Sequence, residues 1–158
     1  MSDPSRRSFL KSSAGCLGGA FALCALLPES LRALPVTFVD GVTAGAEQSY
    51  PIPAADSVTV DAKKGVILAR VAGKFYAMSM TCPHERAAVK WNPKDGQFKC
   101  TKHDSKYTPD GTYISGRSTR SLDRFPIRRD GANALVNTDL VFRVDKNPDG
   151  WAKAVIAL

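Results

Sequence analysis

Residues 81–107 read TCPHERAAVKWNPKDGQFKCTKHDSKY, and this stretch holds both histidines of the chain, His84 and His103. It also holds the two cysteines that lie outside the first 24 residues, Cys82 and Cys100. The four form a C-x-H pair and a C-x-x-H pair, with 15 residues between His84 and Cys100. In an extended loop, side chains two or three positions apart can turn towards one centre. Two such loops can then supply two sulfurs and two imidazole nitrogens. Sorted by type, both thiolates can hold one iron and both imidazoles a second, which is how a [2Fe–2S] centre of mixed ligation is built.

Other chemistry fits the same residue types. Zinc also accepts two cysteines and two histidines, but its usual finger pattern keeps C-x-x-C together and the histidines together. A structural zinc module therefore stands as a remote alternative. A Cys82–Cys100 disulfide suits an exported protein but leaves both histidines unexplained. A catalytic cysteine–histidine pair is weaker still.

The surroundings of the motif read as β structure. Asp-Gly pairs, which favour tight turns, recur at 40–41, 95–96, 110–111, 130–131 and 149–150. Between them lie short runs rich in branched and aromatic residues: SVTV (57–60), GVILARV (65–71), KFYAMSM (74–80), RFPI (124–127), ALVN (134–137) and LVFRV (140–144). None has the length or the 3.6-residue period of a good helix. The expectation is an all-β, mostly antiparallel domain over 47–158, preceded by a connector at 34–46 with room for an edge strand. Asp145 to Gly150 opens like a calcium loop, but its twelfth position would be Ile156, where an acid is required; it reads as a turn.

The chain opens with an address. Ser5-Arg6-Arg7-Ser8-Phe9-Leu10-Lys11 resembles the bacterial twin-arginine export signal S-R-R-x-F-L-K at every specified position. An uncharged run, residues 12–28, follows, and residues 1–33 are read as a signal or an uncleaved membrane anchor. That route carries folded proteins, and a preformed metal site survives export only if it is not unfolded. The net charge of +7 includes four basic and two acidic side chains within residues 1–33, leaving +5 on the rest. The excess is scattered singly and is not interleaved with aromatics, so nucleic acid is not an expected partner. Cys16 and Cys24 lie in the apolar N-terminal stretch and behave as small hydrophobes.

The residues of the opening stretch resemble a known family. C-x-H-x15-C-x-x-H is similar to the signature of Rieske iron–sulfur proteins. Ser105 and Tyr107 fall two and four positions after His103, as in the high-potential members, and Tyr107-Thr-Pro-Asp-Gly111 and Gly116 continue the pattern. The resemblance covers most of 47–158. It implies a β domain with two cluster-binding loops at one tip, one [2Fe–2S] cluster, and Cys82, His84, Cys100 and His103 as its ligands. It also implies that the Ser105 and Tyr107 hydroxyls donate towards the cluster sulfurs, which raises the reduction potential. Pro83 then shapes the first loop, and Trp91 and Trp151 are packing residues.

Two departures qualify the assignment. Quinol-oxidising members usually carry one further cysteine in each loop, joined as a disulfide; by offset those positions here are Ala87 and Lys102. The loop that often covers the cluster with prolines reads GRSTRSL (116–122) here. The expected role is an electron-transfer subunit rather than a stand-alone enzyme. Its first reading is part of a quinol–cytochrome c complex, with a cytochrome b or c partner and His103 meeting the quinol. Its alternative is the small subunit of a periplasmic molybdenum oxidoreductase such as arsenite oxidase. Either places the domain on the periplasmic side of a bacterial inner membrane, anchored or soluble.

Overall fold

The computed structural model describes residues 36–38, 42–44 and 47–158. The twin-arginine motif and the apolar run after it lie outside the described residues. Among the described residues, thirteen strands and one helix follow in chain order. They are β1 (Val36–Phe38), β2 (Val42–Ala44), β3 (Glu47–Pro51), β4 (Ser57–Asp61), β5 (Val66–Val71), β6 (Lys74–Ser79) and β7 (Val89–Asn92). Then come β8 (Gln97–Cys100), β9 (Lys106–Tyr107), β10 (Tyr113–Ser115), β11 (Ile127–Asp130), β12 (Asn133–Asn137), α1 (Pro148–Lys153) and β13 (Ile156–Ala157).

The strands form three sheets, ordered β1-β4-β5-β6-β13, β10-β9-β8-β7 and β11-β12-β3-β2. Every strand pair is antiparallel except β1 with β4. The expected all-β architecture is what the chain adopts. The connector at 34–46 supplies two edge strands, β1 on one sheet and β2 on another.

Residue choice explains the layers. Strand β5 reads VILARV and buries its first four residues on both faces, as a strand between two packed layers must. One core cluster gathers Val58, Ile67, Met78, Phe98 and Leu122 with the two cysteines and Tyr107. A second gathers Tyr50, Leu68, Phe75, Phe125 and Val136. β8 alternates, with Phe98 and Cys100 inward and Gln97 and Lys99 outward, so the period of two carries a cysteine into the core.

The structure departs from the sequence reading in three places. The run 124–127 is not a strand as such: β11 begins at Ile127, because Pro126 has no N–H to give to a ladder. Arg124 makes only isolated bridges, to Met78 and Phe142. The run 140–144 contributes only the Phe142 bridge, and Leu140 and Val141 are exposed. Finally, the segment read as a turn starts helix α1. Asn147 caps it, accepting from the Gly150 N–H at 2.8 Å, and Pro148 takes the first turn, where its missing N–H is no loss. The Asp149-Gly150 pair therefore sits inside a helix.

Arg124 fastens this C-terminal region to the core. Its guanidinium donates to the carbonyls of Trp151 (3.1 Å) and Asp110 (2.8 Å) and pairs with the Asp110 carboxylate at 3.2 Å. It lies 3.6 Å from the centre of the Trp151 ring and 4.5 Å from that of Tyr76. Such contacts offset the desolvation that an isolated buried cation would suffer. The Trp151 indole N–H in turn donates to the Leu122 carbonyl at 2.7 Å.

Candidate metal centre

Two loops leave the same edge of the fold. The first joins β6 to β7, residues 80–88; the second joins β8 to β9, residues 101–105. Each is closed by the same bond. The Cys82 N–H donates to the Ala87 carbonyl and the Cys100 N–H to the Ser105 carbonyl, both at 2.8 Å and both five residues on. Each also turns through a left-handed residue four positions after its cysteine, Arg86 at φ 55° and Asp104 at φ 54°. The loops are joined at their bases, where Val89 pairs with Cys100. The Thr101 N–H and hydroxyl both donate to the Ala88 carbonyl at 3.0 Å.

This scaffold brings together all four residues singled out by their spacing. The cysteines face inward, with Cys82 0% and Cys100 2% exposed. The histidines face outward, with side chains 30% exposed for His84 and 21% for His103. The imidazole rings meet edge to face with centroids 5.0 Å apart. Both cysteines are free, so the disulfide reading is not the one the chain adopts.

The hydroxyl residues are completely buried behind the sulfurs. The Tyr107 hydroxyl lies 3.2 Å from the Cys82 sulfur. Burial first, and then the Cys82 bond, pushes the Tyr107 phenol well above its ordinary value, so it is a donor at working pH. Ser105 accepts from the Ser118 N–H at 2.9 Å, which leaves its own hydroxyl proton for a further acceptor. Gly116 makes room for this arrangement. At φ +107°, a Cβ there would lie 2.5 Å from the Ser105 Cα.

The donor set fits an iron–sulfur cluster on three observations. Two buried thiols stand free. The His103 Nδ1 is buried without a hydrogen-bond partner, as an atom meant for a metal would be. Burial alone would raise the Cys100 thiol, but backbone N–H groups of His103 and Lys102 and the Cys82 side chain outweigh it and hold the thiol below its usual value, favouring the ligating thiolate.

Two further residues belong to the site that the spacing of the four ligands does not single out. Glu85 follows His84, and Lys102 precedes His103. Their side chains form an ion pair across the two loops. Bonding to the Lys102 ammonium holds the Glu85 carboxyl below the usual carboxylate range. Adjacency to a ligand was the available signal, but among scattered lysines it did not stand out.

The fold and its two loops define a small β-domain iron–sulfur protein of electron transport. The chain belongs to the Rieske [2Fe-2S] domain family, whose model matches residues 42–126, and the domain carries one [2Fe–2S] cluster. It is similar to the cytochrome b6-f complex iron-sulfur subunit of Chlorobaculum tepidum, 26% identical over 85% of this chain and 76% of that protein. It is also similar to the cytochrome b6-f complex iron-sulfur subunit 2 of Trichormus variabilis, 27% identical over 75% of this chain and 76% of that one. Among solved structures it is similar to the plasma membrane Rieske protein PetC3 from Synechocystis PCC 6803. There the identity is 26% and the TM-score 0.42, over 58% of this chain and 85% of that chain.

Proposed function

We propose that this protein is the iron–sulfur subunit of a quinol–cytochrome c oxidoreductase of the bc type. Cys82 and Cys100 hold one iron of its cluster, and His84 and His103 hold the other. The observation that carries the reading is the division of the site: thiols in the core, imidazoles at the surface. A quinol or a cytochrome can thus approach the histidine side while the sulfurs stay away from water. The relatives in Chlorobaculum tepidum and Trichormus variabilis, named as cytochrome b6-f subunits, support the same reading.

When bound, the cluster supplies a store for one electron at a time. The chain's own residues do the rest. The thiolates anchor the site from the inside. Tyr107 donates towards the Cys82 sulfur, and a donor there favours the more negative state. His103, whose Nδ1 is buried without a hydrogen-bond partner, keeps Nε2 as the nitrogen that meets a quinol hydroxyl and accepts its hydrogen.

Residues 1–33 serve as twin-arginine signal or anchor, residues 34–46 as linker, and 47–158 as the working domain on the periplasmic side of the membrane. Replacing Arg6→Lys together with Arg7→Lys should leave the protein in the cytoplasm, as read by fractionation; normal export would show that another signal is used. Purification from solubilised membranes tests the function itself. Two irons and two acid-labile sulfides per chain, with a haem-bearing cytochrome b in the complex, are the expected result. Co-purification with a molybdenum subunit would replace the quinol reading with that of a periplasmic electron relay. Stoichiometric zinc without sulfide would end both.

A further inference from the structure

The two ligand loops are bonded at their bases through Val89, Cys100, Thr101 and Ala88. Further out, no covalent bond joins them, since Cys82 and Cys100 are both free. Among the described residues, the hydrogen-bonded ion pair between their outer parts is Glu85 of the first loop with Lys102 of the second. We propose that this pair is the clamp that keeps the loops closed over the cluster, Glu85 and Lys102 acting as positioning residues. The inference rests on the reading that these loops hold the cluster.

The geometry around Glu85 carries the argument. Its Oε1 lies 3.9 Å from the Nδ1 of His84, on its own loop. Its Oε2 lies 3.9 Å from the Nδ1 of His103, on the other loop, and the Lys102 ammonium sits on that same oxygen. One side chain of the first loop is therefore bracketed by two consecutive residues of the second. The other charges nearby do not compete. Asp104 is engaged by Lys99 at 3.3 Å, and Arg86 makes no ion pair among the described residues. Parting the loops must break the Glu85–Lys102 pair and leave a lone carboxylate beside two imidazoles.

An exposed pair of this kind is a modest tie, and salt screens it. The effect should appear in how fast the cluster is lost rather than in whether it forms. The experiment uses the full-length protein with its cluster, whose visible absorbance is followed in an iron chelator at low ionic strength. Glu85→Gln and Lys102→Gln should each speed the loss by roughly two- to fivefold. Lys102→Arg should retain the wild-type rate. The exchanged pair, Glu85→Lys with Lys102→Glu, should recover most of it, which a role in local packing alone would not give. In the unmodified protein, high ionic strength should raise the rate to that of the Gln variants, a reading that needs no variant to fold.

Single variants as slow as wild type, or an exchanged pair as labile as the singles, would overturn the clamp and leave the cluster assignment intact. Wild-type protein without iron and sulfide at the outset would overturn the cluster assignment, and the clamp with it.

Discussion

The two ligand loops share a backbone plan and differ in what stands behind them. In both, the cysteine N–H closes the loop onto a carbonyl five residues on, and in both the fourth residue after the cysteine is left-handed. Behind the first loop the chain continues through Ala87 and Ala88 into β7. Behind the second it continues through Ser105 and Tyr107, both buried and both carrying hydroxyls. The first loop continues without a buried hydroxyl. The second brings two, and the Tyr107 hydroxyl lies 3.2 Å from the Cys82 sulfur. On the proposed function, backbone bonding sets where the ligands stand, and these hydroxyls set the electrical environment of the sulfurs.

The largest effect should fall equally on both loops. Cys82→Ala and Cys100→Ala should each abolish the cluster, because each removes the sole sulfur its loop supplies; iron and sulfide analysis of the purified variants is the check. Retention of the cluster in one of them would mean that the loops are not equivalent as ligand holders.

Gly116→Ala should strike the second loop alone. The added methyl would lie 2.5 Å from the Ser105 Cα, and a left-handed φ disfavours any side chain. Together these should cost on the order of 1–3 kcal/mol in denaturant unfolding and weaken the Ser118–Ser105 bond. An unchanged midpoint would show that the 116–122 segment shifts freely away from Ser105.

Tyr107→Phe sharpens the comparison without disturbing the scaffold. A hydrogen bond to a charged acceptor is worth roughly 1.5–3 kcal/mol. Only its difference between oxidation states moves the potential, so a fall on the order of tens of millivolts is expected. Ser105→Ala should act in the same direction. Protein-film voltammetry gives the measurement, and unchanged potentials in both would deny the second loop its electrical role.

The smallest effect concerns the shared turn. Arg86→Gly and Asp104→Gly each place glycine where the backbone is already left-handed. Strain relieved at about 1 kcal/mol is opposed by the chain entropy that glycine adds, about 0.5–1 kcal/mol. Both should therefore lie within about 0.5 kcal/mol of wild type. A larger loss in only one would mean that its side chain, and not its turn, holds that loop.

Much of this was legible in the sequence because it rests on local rules. The spacing of Cys82, His84, Cys100 and His103 places each pair within one loop. The alternation in QFKC turns Cys100 inward, and the Asp130-Gly131 turn marks the β11–β12 hairpin. What escaped depends on contacts between distant residues. The tight β5–β6 turn is Ala72-Gly73, both left-handed, and alanine gives no such signal. Arg124 reads as an ordinary surface arginine until Tyr76, Asp110 and Trp151 converge on it. The run 140–144 has the composition of a strand but pairs with the rest of the chain only at Phe142. Glu85 and Lys102 meet only because the loops do, 17 positions apart in the chain.

The pairing of β13 has a practical consequence for handling the protein. Ala157 pairs with Lys74, and the Leu158 N–H donates to the Gly73 carbonyl at 2.9 Å. Leu158 thus comes to rest beside the β5–β6 turn. β6 runs from that turn towards the first ligand loop and spans about 17 Å at ~3.3 Å per residue. Whatever is attached after Leu158, whether an affinity handle, a fluorophore or a thiol for gold, departs from the end of β6 remote from the histidines. A layer grafted to an electrode through that point would present its redox tip to solution, ready for a soluble partner to dock.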